Sequence, residues 1–132
     1  MKTKNIVFLI IISIILIFFI FLALKIYFEV KNYNKQINDL QISDIDLSSV
    51  KDGIYRGEYI TIPVSAKVEV TVKDHKIIDI KLLEHRNGKG QPAEAIVEKV
   101  LKDQKLKVDV VSGATASSKV ILKAIENALL SN

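Results

Sequence analysis

The 132 residues are enough for one small domain and not two. They include no cysteine, which excludes disulfides, thiolate metal sites and thiol nucleophiles, and only two histidines, His75 and His85, too few for a histidine metal cage. Of the formal charge of +4, half comes from Lys2 and Lys4; beyond them 17 Lys+Arg face 15 Asp+Glu, scattered and without an aromatic ladder, which argues against nucleic-acid binding.

After a tail at 1–5, residues 6–24 carry no charge and a single polar residue, Ser13. Nineteen such residues match the length a helix needs to cross a bilayer core. A core helix of a domain this small would keep one polar face, and this run has none. A cleaved signal peptide would want a shorter apolar run and a small-x-small site, whereas Ala23 is followed by Leu24-Lys25 and bulky Ile26-Tyr27-Phe28. The expectation is an uncleaved signal anchor. Lysines flank both ends, so their count does not orient it. A short N-terminal tail ordinarily stays inside, which puts the rest of the chain outside the cytoplasm.

Residues 25–50 turn polar and read as a linker, either a short helix or a loose tether. Asp39, Asp44 and Asp46 lack the turn glycine that a calcium loop requires.

The folded domain is expected over 51–132. Gly53 and Gly57 bracket a short aromatic stretch that suits a strand, and Pro63 implies an edge or a loop. Ala66, Val68, Val70 and Val72 then alternate with Lys67, Glu69, Thr71 and Lys73, the pattern of a half-buried strand. A partner strand follows with Ile78, Ile80 and Leu82 in step. A two-residue turn at Asp74-His75 would set Val70 against Asp79, so parity favours a three-residue turn, Lys73-Asp74-His75. That turn pairs Val70 with Ile78 and makes His75 a left-handed turn residue rather than a ligand.

The polar, glycine-rich stretch 84–92 is either a plain connection or a ligand-facing loop in which His85 and Arg86 supply donors. Pro92 opens an amphipathic helix with Ala93, Ile96, Val97, Val100 and Leu101 on one face. Residues 105–111 read as a last short strand, and from about Ala116 helical spacing runs to the end. The fold class is therefore α+β: a small, mainly antiparallel sheet with two helices packed on it, preceded by one transmembrane helix.

Between that last strand and the final helix lies Ser112-Gly113-Ala114-Thr115. Small residues let a ligand approach the backbone, and a helix N-terminus favours an anion such as phosphate. Equally, Ser or Thr there serves as an ordinary helix cap. No paired base accompanies Thr115, which argues against a threonine-nucleophile hydrolase.

Residues 109–117, Asp-Val-Val-Ser-Gly-Ala-Thr-Ala-Ser, resemble the flavinylation motif of the FMN-binding domain family. The Asp-Gly-x-Tyr-x-Gly opening at 52–57 and the Val-x-Val-x-Val hairpin extend the resemblance over roughly 51–132. That family includes the flavin subunits of sodium-translocating NADH:quinone reductases and small extracytoplasmic electron carriers. The resemblance implies FMN joined to Thr115 by a phosphoester, made by a separate flavin transferase that draws on FAD with magnesium. Ser112, Gly113 and Ala114 would form the turn, and Asp109 and Ser117 would complete the motif the transferase reads. It also implies that His85 and its neighbours contact the flavin. Arg86-Asn87-Gly88-Lys89-Gly90 departs from the acidic-Thr-Pro-Gly segment of many relatives, and His75 stands where many have Gly.

The function implied is electron transfer by a membrane-bound carrier rather than an independent turnover enzyme. Its redox partner would be another protein, a quinone or an extracellular acceptor, with no metal site and no nucleic acid. Two other readings are an FMN-carrying assembly or sensor subunit of a larger redox complex, and an unflavinylated membrane-anchored binding module.

Overall fold

A computed structural model describes residues 2–88 and 90–131; Met1, Lys89 of the glycine-rich loop and Asn132 lie outside the described residues. The chain divides into two units, Met1–Asn38 and Asp39–Asn132.

The first unit is one helix, α1 (Lys2–Asp39). Its apolar stretch is exposed on every side and is long and apolar enough to cross a membrane. At about 1.5 Å per residue, a helix of 38 residues is nearly twice as long as a bilayer core of about 30 Å requires. The part of the expected linker up to Asp39 is thus helix rather than a loose tether.

The second unit is built on a three-stranded antiparallel sheet in the order β1 (Gly53–Ile60), β2 (Ser65–Lys73), β3 (Lys76–Arg86). Helices α2 (Ile96–Asp103) and α3 (Thr115–Leu130) complete it, and α3 packs on β1 and β2. Val68, Val70 and Val72 from the sheet and Val120, Ile121, Ile125 and Leu129 from α3 form the core, all nearly inaccessible to solvent. α+β is the observed class.

Gly57 fixes how closely α3 approaches. A Cβ there would collide with the Ala124 carbonyl oxygen and the Ala128 amide nitrogen, both backbone atoms. At Gly53 an added Cβ would meet only the Tyr55 side chain, at 3.4 Å or more.

The β2–β3 turn corrects the three-residue expectation. Lys73 pairs with Lys76, and Asp74 and His75 alone make the turn, both left-handed (φ 51° and 60°). Such a two-residue turn matches the right-handed twist of the strands. Parity is restored downstream: a bulge leaves Ile78 outside the ladder between the pairs Val72–Ile77 and Thr71–Asp79. Val70 therefore faces Ile80, Ile77 is buried, and Ile78 is 54% exposed.

The expected last strand is a second correction. Residues 105–111 join no strand, and side chains bind their backbone instead. Leu106 and Lys107 donate their N–H groups to Asp44 Oδ1 (2.7 and 2.8 Å), Val111 donates to Ser118 Oγ (3.0 Å), and Lys99 Nζ donates to the Asp109 carbonyl (3.0 Å). The edge of β3 nearby is already taken. Gln104 accepts from the Ile77 N–H and donates to the Ile77 carbonyl, both at 2.8 Å, as a strand residue would.

Asp44 falls in the expected linker, yet residues 40–50 belong to the compact unit, with Val50 wholly buried. Asp46 accepts from Ser48 N–H and Oγ, and the hydroxyl bond above all holds its carboxyl below the ordinary range. We expect Asp44→Ala to destabilise the domain by about 1–3 kcal/mol, because the half-buried Leu106 N–H and the exposed Lys107 N–H lose their acceptor. Chemical denaturation of the full chain measures it, and an unchanged midpoint would show the strap to be idle.

Candidate functional site

The site assembles where the lead-in 106–111, the turn 112–114 and the start of α3 meet the loop after β3. Ala114 N–H closes the turn on the Val111 carbonyl (3.0 Å), and Gly113 stands at φ +78°. An added Cβ at Gly113 would meet nothing within 4 Å, so glycine serves the backbone conformation there and not clearance. Ser112, Gly113 and Thr115 are exposed and Ala114 is buried.

Ala114 is the N-cap of α3, and among the described residues no side chain caps the helix. Thr115 is the first residue of the helix, so the ordinary-cap reading does not describe its hydroxyl. Ser118 is wholly buried and holds the turn through Val111. Asp109 is exposed, and its carbonyl is tied to Lys99.

Gly90 packs directly against the buried Ser117. A Cβ at Gly90 would collide with Ser117 Oγ and stand 2.7 Å from Ser117 Cβ; a hydroxyl can rotate away, but the Cβ cannot. Gly90→Ala should therefore push the loop off the N-terminus of α3, at a cost of about 1–3 kcal/mol for overpacking. The thermal midpoint of the full chain reads this out.

His85 lies within β3, opposite Ala66 on the core side of the sheet. Its side chain is 2% exposed, with Nδ1 3.1 Å from Glu94 Oε1 and 3.4 Å from Asn87 Nδ2. Its Nε2 is buried with no hydrogen-bond partner among the described residues. Arg86 is exposed. The pair expected to act together as loop donors thus separates: one ring goes into the interior, and one guanidinium to solvent. Glu94 sits in the 3₁₀ turn Gln91–Ala95, which packs on α3, so the structure joins His85 to the start of α3 through that turn.

No group of three or more His, Cys, Asp or Glu suited to a metal ion occurs among the described residues.

A family model for the FMN-binding domain matches residues 64–130, from the start of β2 through α3. The chain belongs to the FMN-binding domain family. A curated relative, the NADH:acrylate oxidoreductase of Vibrio harveyi, is 35% identical over 100 residues; the match covers 73% of this chain and 10% of that protein. The chain spans about a tenth of the length of the curated relative it matches.

The residues fit a flavin nucleotide on three counts. Thr115 presents an exposed hydroxyl, the uncapped N-terminus of a 16-residue helix lies beside it, and buried His85 Nε2 has a hydrogen-bonding capacity still to be filled. Sequence reasoning missed Glu94, Lys99 and Ser118, and it named Gly90 and Asp44 without the contacts they make. Each acts on a residue distant in the chain, or through the backbone, and none carried a local signal.

Proposed function

We propose that this chain is a membrane-anchored flavoprotein that carries FMN covalently on Thr115 and transfers electrons outside the cytoplasm. The observation that carries the reading is the state of Thr115: exposed, first in α3, and not engaged as a cap. The linkage is a phosphoester between the Thr115 oxygen and the FMN phosphorus. A separate flavin transferase makes it from FAD with magnesium, and AMP is the part left over. Asp109 and Ser117 complete the sequence that the transferase reads, with the turn 112–114 presenting Thr115 to it.

When bound, FMN supplies one- and two-electron chemistry. The chain's own residues hold and surround it. The amides at the start of α3 favour the phosphate charge, Gly113 keeps the turn open, and His85, positioned by Glu94, offers Nε2 as a polar contact. Electron transfer is supported by the relative, whose name describes an oxidoreductase that uses NADH and acrylate. In this chain the domain follows, in sequence, a helix suited to a membrane, which supports a relay between partners. A covalent tether also makes sense where a released flavin would be lost.

The test is to co-express the full chain with a flavin transferase, denature it, and look for in-gel flavin fluorescence and a mass increase of one FMN moiety. A chain at its unmodified mass would instead support the binding-module reading. Protease accessibility of the domain in intact cells tests its placement outside.

A further inference from the structure

The face of the sheet turned away from α3 has an order that flavin binding does not use. Strand register sets most of its outward residues in four rows across β1, β2 and β3, with the Lys73–Lys76 pair beyond them at the hairpin end. The two inner rows are Arg56–Glu69–Lys81 and Glu58–Lys67–Glu84, opposite in sign at every place. The two outer rows are Ile54–Thr71–Asp79 and Ile60–Ser65–Arg86, in which Ser65 is nearly buried.

Consider a twofold axis in the plane of this face, running across the strands between the inner rows. Turning a second copy about it keeps each strand over its own counterpart and exchanges the rows. Arg56 then lies over Glu58 of the second copy, Glu69 over Lys67, and Lys81 over Glu84. In the outer rows Ile54 meets Ile60, Thr71 meets Ser65, and Asp79 meets Arg86. Every charged place in the four rows finds a complement. Leu83, left outside the ladder by a bulge between Lys67 and Val68, lies on the axis and faces its own copy.

Ion pairs within one sheet do not require this. They run along the rows, at 2.9 Å for Arg56–Glu69, 3.9 Å for Lys81–Glu69, and 3.7 and 3.6 Å from Lys67 to Glu58 and Glu84. They explain alternation within a row. They do not set the sign of one row against the next, nor place isoleucine in both outer rows of β1 and a hydroxyl in both outer rows of β2. The face is also more apolar than a solvated sheet needs: Ile54, Ile60 and Leu83 are 65%, 58% and 51% exposed.

We propose that this face is a self-complementary interface between two copies of the chain, packed sheet to sheet. Three short strands make a small interface, of the weak and reversible class, in which charge governs specificity more than strength. Because α3 covers the opposite face, both Thr115 motifs stay open in the dimer.

The test uses the full chain in phosphatidylcholine vesicles. It has no cysteine, so Leu83→Cys is its sole thiol. Under mild oxidation Leu83→Cys should form a disulfide dimer about tenfold faster than Lys102→Cys on α2, the ratio expected for about 1.4 kcal/mol of preference. Adding Arg56→Glu with Glu69→Arg keeps net charge and the 56–69 pair, gives up the longer Lys81–Glu69 pair, and sets like charges across the axis at 56/58 and at 67/69. Cross-linking should then fall to the Lys102→Cys rate, with the thermal midpoint lowered by no more than the loss of one surface ion pair accounts for. Without the charge exchange, raising salt to about 1 M, where the screening length is about 3 Å, should lower the Leu83→Cys rate as well. Equal rates for the two cysteines, or a rate indifferent to both the charge exchange and salt, would overturn the proposal.

Discussion

Thr115→Ala should remove all covalent flavin from the chain. After co-expression with a flavin transferase and denaturation, the variant is expected to show background fluorescence and the unmodified mass, against one FMN moiety on the parent. The effect is all-or-none because the bond is made to the oxygen that alanine lacks. Folding does not confound it. Thr115 is exposed, and alanine is the better helix former, so the change in stability should lie within about 0.5 kcal/mol. Thr115→Ser keeps an oxygen at the same place and should retain some label. Covalent flavin persisting on Thr115→Ala would remove the site assignment, even with the family membership intact.

The second large effect concerns Gly57. Gly57→Ala should destabilise the domain by about 3 kcal/mol or more, at or beyond the upper end of the overpacking range. A domain of this kind has about 5–15 kcal/mol in all, so much of its stability would go. The reason is what the new Cβ would strike: the Ala124 carbonyl and the Ala128 amide, both backbone, so that α3 must lift from β1 as a whole. Trimming a neighbouring side chain would not rescue it. Gly53→Ala is the control. Its Cβ would make an ordinary contact with the Tyr55 side chain, and its midpoint should stay within about 1 kcal/mol of the parent. Comparable losses at both positions would show that strand propensity, not helix approach, governs this opening.

This contrast shows where sequence reading reaches and where it stops. The Asp-Gly-x-Tyr-x-Gly opening was visible as a motif, but only the packing of α3 separates a required glycine from a tolerant one. The hairpin was legible in its alternation, and His75 in its left-handed turn. The length of the turn was not, because a bulge two residues further on repairs the parity that local pattern alone could not reconcile. His85 was legible as a residue of interest, while its burial and its pairing with Glu94 came from the sheet register and from the turn at 91–95.

The sequence by itself determined the apolar helix at the N-terminal end, the α+β class, the membership of the FMN-binding domain family and the candidate threonine. These rest on period, composition and a contiguous motif, all properties of neighbours along the chain. The tertiary structure decided that residues 105–111 stay out of the sheet, that Gly90 rests on Ser117, and that no side chain caps α3. Those outcomes turn on backbone groups finding partners far away in sequence: Asp44 for Leu106 and Lys107, Gln104 for Ile77, Ser118 for Val111. A buried N–H must be satisfied by something, and nothing local shows whether a strand or a single side chain will do it.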